Sequence, residues 1–207
     1  FYITWLPTYV LEGRGASETL SSMLSTLPLF FGGFGCVTGG LLIPVLALFA
    51  DVVGFTALSE AMDAEEVTEL INALWTRIDR IVTNYGGHID KHIGDAVMAV
   101  WGAEIAREDD PERAIRAALT MQAEVDNFSD AVLSEGRLPG DIALKLRVGL
   151  NTGPVLVGQV GLTREYTAMG DTVNLAHRLE QIAPLGGILA GQNTYSHVRG
   201  IFNARPI

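Results

Sequence analysis

The 207-residue chain has a single cysteine, Cys36, so no internal disulfide can staple it and a reducing compartment suits it. Basic residues are scarce too, with 14 Lys and Arg against 24 Asp and Glu. Without a basic run, broad nucleic-acid binding is excluded, because phosphate contacts need Lys and Arg to displace counterions. Charge of either sign is missing from residues 19–50. Only Glu12, Arg14 and Glu18 precede that gap, whereas 22 acids and 13 Lys or Arg follow it. The start lacks Met and a basic n-region, which argues against a signal peptide. Lysine also runs out early, Lys145 being the last.

Within the uncharged gap, "MLSTLPLFFGGFGCVTGGLLIPVLALFA" exceeds the ~20 apolar residues that span a bilayer. Gly35 and Gly39 have the small-xxx-small spacing that lets membrane helices approach, and Tyr2, Trp5 and Tyr9 lie upstream as an interfacial belt would. A membrane helix is therefore expected over about 24–44, with a buried or disordered apolar leader as the alternative. Residues 1–44 resemble an interior piece of a major facilitator superfamily transporter. The piece amounts to one helix and a loop, too little to carry a substrate site.

From residue 45 the pattern changes. "VLALFADVV" is short, apolar and β-prone, the signature of a buried strand. Val67, Leu70, Ile71, Leu74, Ile78, Ile81, Val82 and Tyr85 then recur at helical spacing, behind Asp63 as N-cap and before a Gly86-Gly87 stop. "HIDKHIGDAVMAVW" predicts a hairpin turning at Gly94-Asp95. A second helix opens at "DDPER", with Asp110 as cap and Pro111 first. "ALKLRVGLN" alternates, putting Leu144, Leu146, Val148 and Leu150 on one face, and "PVLVGQVG" reads as a separate strand. "GDTVNLAHRLEQI" predicts a helix capped by Asp171. The expected class is α+β: a ferredoxin-like sheet with helices on one face, behind a hydrophobic, helix-prone N-terminal segment.

Two acids stand where such a sheet can use them. Asp51 ends the first strand and Asp95 sits in the hairpin turn. If those strands are neighbours, both carboxylates emerge at one sheet edge. Converging carboxylates suit Mg²⁺ or Mn²⁺, and two such ions can stabilise both oxygens of a phosphoryl displacement. A strand-end cap and a turn residue would look the same by spacing alone.

"FADVVGFTALSE", "KHIGDAVMAVWG", "LRVGLNTGPVLVGQVG" and "YTAMGDTVNLAHRLE" occur in this order. Together they resemble the class III adenylate/guanylate cyclase catalytic domain, over about 45–207. The resemblance implies an antiparallel homodimer with composite sites at its interface and two Mg²⁺ or Mn²⁺ ions per site. It implies that Asp51 and Asp95 bind the metals and that Arg147 touches the phosphates. Lys91 and Thr167 match the purine-reading positions. Asn174 matches the residue that orients the ribose, and Arg178 the arginine on the triphosphate. Lys paired with Thr resembles the adenylate cyclase subgroup that includes bicarbonate-responsive members, which implies ATP as substrate and cyclic AMP as product. The resemblance also implies further C-terminal strands with another phosphate-binding lysine, so a truncated end is expected here.

Other conspicuous residues have simpler readings. His88 and His92 lack a third soft ligand and read as a solvated strand edge. His177 is expected to face solvent, and Met98, Met121 and Met169 to pack. Glu65, Glu66 and Glu69 read as a solvated helix face. "GGILAG" lacks the Lys-Ser/Thr of a phosphate loop and predicts a turn and strand. "KHIGDAV" is not the "GGDEF" hairpin of diguanylate cyclases. The expected boundary lies at 44/45, with the catalytic part in the cytoplasm and membrane contact, if any, through 24–44. The alternatives to an active enzyme are a weakly active dimerising module and, for residues 1–44 alone, a transporter fragment.

Overall fold

Val45 to Ala50 is apolar at every position, so a strand here must be covered on both faces. In the computed structural model, which describes residues 43–137, 142–160 and 165–206, it is the central strand β1 (Ile43–Val53). The transporter-like segment and expected membrane helix lie, up to Leu42, outside the described residues. Their last two residues, Ile43 and Pro44, already belong to β1, where Pro44 stands opposite Pro154. Among the described residues no helix is long and apolar enough to cross a membrane.

After β1 come helix α1 (Phe55–Ala61), helix α2 (Ala64–Asn84), strands β2 (His88–Ile93) and β3 (Ala96–Trp101), and helix α3 (Asp110–Ser134). Strand β4 (Lys145–Val160), strand β5 (Glu165–Met169), helix α4 (Asp171–Ile182), strand β6 (Ile188–Ala190) and helix α5 (Gln192–Val198) complete the order. The sheet runs β2-β3-β1-β4-β5, all antiparallel, and β6 adds a short parallel pairing to β4.

One face of the sheet buries Leu46, Leu48, Ala50, Val52, Leu146, Val148 and Leu150 against α2 and α3. Helix α2 supplies Leu70, Leu74, Ile78 and Val82, as its periodicity predicts, with Asp63 at the N-cap. The opposite face also carries a core: Val45, Ala47, Phe49, Met98 and Val100 pack with Ala176 of α4. The expectation of helices on one face only is thus corrected; the doubly apolar β1 needs a second cover. Gly149 makes that cover possible, because a Cβ there would run into the Ala176 carbonyl and the Glu180 amide.

Four local expectations also change. The segments around Leu146 and Val157 form one strand, because β4 exchanges β1 for β5 as its partner instead of turning. Asp171 is the first residue of α4, behind Gly170 at φ 131°, and Asp109 rather than Asp110 precedes α3. Met98 and Met121 are buried, but Met169 is 40% exposed.

Candidate active site

Asp51 and Arg147 are direct cross-strand partners in the β1–β4 ladder. Opposed residues in an antiparallel pair project on the same face, and opposite charges there attract. Arg147 Nη2 donates to Asp51 Oδ2 at 2.6 Å. The face is the one covered by α4, which brings Glu180 Oε1 to 3.6 Å from the same Nη2. Arg147 Nη1 reaches the Gln181 carbonyl at 3.4 Å.

Asp95 arrives from the other side. The β2–β3 hairpin turns through Gly94 at φ 64°, a conformation that favours glycine. The Val52 amide donates to the Asp95 carbonyl at 3.0 Å, tying the turn to the end of β1. Asp51 and Asp95 therefore meet at one edge of the sheet, as the strand pattern predicts. Asp51 and Glu180 approach the Arg147 guanidinium directly, and the Asp95 charge acts on it more weakly.

The electrostatics follow from this crowding. The hydrogen bond to Asp51 raises the Arg147 pKa, against the opposing effect of burial. Glu180 is 4% exposed, and burial, reinforced by the Asp51 charge, pushes its carboxyl above the ordinary range even though Arg147 pulls the other way. Glu180 Oε1 and Arg147 Nε are buried without a hydrogen-bond partner. Asp51 and Asp95 are oxygen donors of the kind a hard divalent cation takes. Among the described residues no three His, Cys, Asp or Glu form a complete cage. A cation held by Asp51 and Asp95 would take its remaining ligands from phosphate oxygens and water, as Mg²⁺ does in nucleotide sites.

The remaining candidates form other groups. Lys91 stands opposite Met98 on edge strand β2, and its Nζ lies 3.2 Å from Asp90 Oδ2. Thr167 pairs through its backbone with Gly158 on β5. Although β5 ends the strand order, it reaches β2, where the Ala168 amide donates to Asp90 Oδ1 at 3.3 Å. Asn174 and Arg178 lie one turn apart on the exposed face of α4. Among the described residues no hydrogen bond or ion pair joins either of them to Asp51 or Asp95. One chain thus brings together Asp51, Asp95 and Arg147, and separately Lys91 with β5.

Glu180 and Asp90 are the residues that sequence reading passed over. Glu180 could have been found as the end of the buried Thr172, Ala176, Glu180 stripe of α4. His177 is exposed, as expected, with its ring 5.0 Å from Phe49. His88 and His92 are exposed on β2, and His92 Nε2 lies 3.1 Å from Asp79 Oδ1.

The family described as "Adenylate and Guanylate cyclase catalytic domain" matches residues 43–205, and the chain belongs to it. "Adenylate cyclase 1" of Rhizobium meliloti (strain 1021) is 34% identical over 167 residues, 79% of this chain and 24% of that protein. The chain spans about a quarter of the length of the first curated relatives it matches. Guanylate cyclases match as well. The adenylyl cyclase CyaB of P. aeruginosa superposes with a TM-score of 0.73 at 34% identity, covering 77% of this chain and 82% of that one. The catalytic core of a rhodopsin-guanylyl cyclase with converted specificity, in complex with ATPalphaS, gives 0.72 at 32% identity, covering 80% and 86%.

Proposed function

We propose that this domain is an adenylate cyclase that converts ATP to cyclic AMP and pyrophosphate at sites shared between two copies of the chain. The observation that carries the reading is the meeting of Asp51, Asp95 and Arg147 at one sheet edge, in a fold that belongs to nucleotide cyclases. The ATP 3′-hydroxyl attacks the α-phosphorus, its proton is released, and pyrophosphate leaves. Two divalent cations, Mg²⁺ or Mn²⁺, would be held by Asp51 and Asp95 and would supply charge neutralisation at the phosphates and acidify the attacking hydroxyl.

The chain's own residues do the rest. Arg147 exchanges its contact with Asp51 for one with the phosphates, while Glu180 keeps its guanidinium close. Asn174 and Arg178 of the second copy, one turn apart on α4, orient the ribose and neutralise the triphosphate. Their exposure in a single chain is what a site completed by a partner requires. Lys91 and Thr167 of that second copy present an ammonium and a hydroxyl to adenine N1 and N6. Guanine offers a protonated N1 and a carbonyl O6 instead, and a mismatched buried polar contact costs ~1–3 kcal/mol.

Purified protein assayed with Mn²⁺ and either ATP or GTP tests the substrate. Faster formation of cyclic AMP is expected. Equal or faster formation of cyclic GMP would reverse the assignment while leaving the chain a cyclase.

A further inference from the structure

We infer that Asp90 is a positioning residue for base selection: its buried carboxylate fixes Lys91 and strand β5 as one unit and so sets the preference between purines. This rests on the reading of Lys91 and Thr167 as the adenine-facing pair. On a regular strand, Asp90 and Lys91 would point to opposite faces. The β2–β3 ladder instead shifts register between Ile89 and Lys91, placing Asp90 in a bulge, a device that re-aims side chains. As a result Asp90 Oδ2 and Lys91 Nζ are 3.2 Å apart although the residues are adjacent in sequence.

The second carboxylate oxygen is committed elsewhere. Asp90 Oδ1 accepts the amide of Ala168, the residue after Thr167 on β5. The Asp90 side chain is 3% exposed while that of Lys91 is 41% exposed. The acid is therefore a fixed anchor and the amine its outward-reaching partner. An exposed ion pair of two mobile side chains would contribute little, but a buried carboxylate must be compensated, and here an amide and an ammonium do so together. A lysine on a flexible stem with no such anchor would follow the most negative group available, the triphosphate. With Asp90 behind it, the ammonium is tied to the same acid that accepts the Ala168 amide of β5, and acts as a directed donor toward the base.

Asp90→Asn separates this role from a structural one. The amide side chain keeps an oxygen for the Ala168 amide and removes the charge that holds Lys91. The measurement is kcat and KM for ATP and for GTP, in the unmodified protein, Asp90→Asn, Lys91→Met and the double variant, with thermal unfolding of each. The expected result is a KM for ATP raised about fivefold or more, little change in kcat, and a similar fall in the ATP-to-GTP ratio of kcat/KM. In the Lys91→Met background, Asp90→Asn should leave that ratio unchanged, because Asp90 acts through Lys91. A purely structural role would lower kcat for both nucleotides in parallel, and an unchanged ratio in Asp90→Asn overturns the inference. If that variant unfolds, Asp90→Glu, which keeps the charge and moves it by one methylene, is read in the same cycle with the same two outcomes. Equal use of ATP and GTP by the unmodified protein would instead remove the adenine reading itself, before any variant is compared.

Discussion

Arg147 faces Asp51 across the β1–β4 ladder and closes on its carboxylate at 2.6 Å. On the proposed reading, cations would take the Asp51 carboxylate and the triphosphate would take the Arg147 guanidinium, so substrate binding would exchange this contact for two others.

Asp51→Ala or Asp95→Ala should reduce turnover by at least about a hundredfold, because one carboxylate cannot hold two cations against phosphate repulsion. The fold should survive, since Asp51 is third from the end of β1 and Asp95 lies in the hairpin turn. Asp51→Ala also removes the shortest hydrogen bond of the partly buried Arg147 guanidinium, so a loss of roughly 1–3 kcal/mol in stability is expected. Circular dichroism, urea unfolding and product formation on the same samples distinguish these effects. Activity retained in either variant removes the two-cation reading.

Glu180 makes a prediction in pH. Burial and the Asp51 charge raise its pKa in the folded chain, so the folded state holds this proton at pH values where the unfolded state has lost it. Its contribution to stability is present below the ordinary glutamate range and is lost as pH rises through the raised value. Glu180→Gln should therefore make the cation-free protein more stable relative to wild type at pH 8 than at pH 4. Urea midpoints measured across that interval check the sign. A difference independent of pH contradicts it.

Gly149→Ala should be among the most damaging small substitutions in the domain. The added methyl meets backbone of α4, which cannot rotate away, so overpacking of about 1–3 kcal/mol or more is expected. Gly136→Ala, with open space around the site but a positive φ, serves as the comparison. The melting temperatures of the two variants give the answer.

Much of this was legible in the residues themselves. The apolar run of β1, the 3.6-residue rhythm of α2 and the Gly94-Asp95 turn each specify local structure, and the meeting of Asp51 with Asp95 follows once β1 and β3 are neighbours. The placement of α4 was not legible, because the cause is a missing Cβ at Gly149 on a different element. Glu180 and Asp90 escaped for a related reason. An acid on a polar helix or beside a lysine reads as solvated, and burial by another element is a tertiary fact. The unbroken β4 was hidden by Gly153-Pro154, a pair that signals a turn where the strand changes partners instead.

Mixing two inactive variants tests the account most directly. Asp51→Ala and Asn174→Ala place their lesions on opposite contributions to a shared site. In a two-fold dimer of one of each, one site carries both lesions and the other carries neither. Once differently labelled chains are shown to exchange subunits, random pairing makes half of the dimers mixed. Cyclic AMP formation at about a quarter of the wild-type rate is then predicted. No activity above that of the separate variants, with exchange demonstrated, would contradict a site shared between two chains.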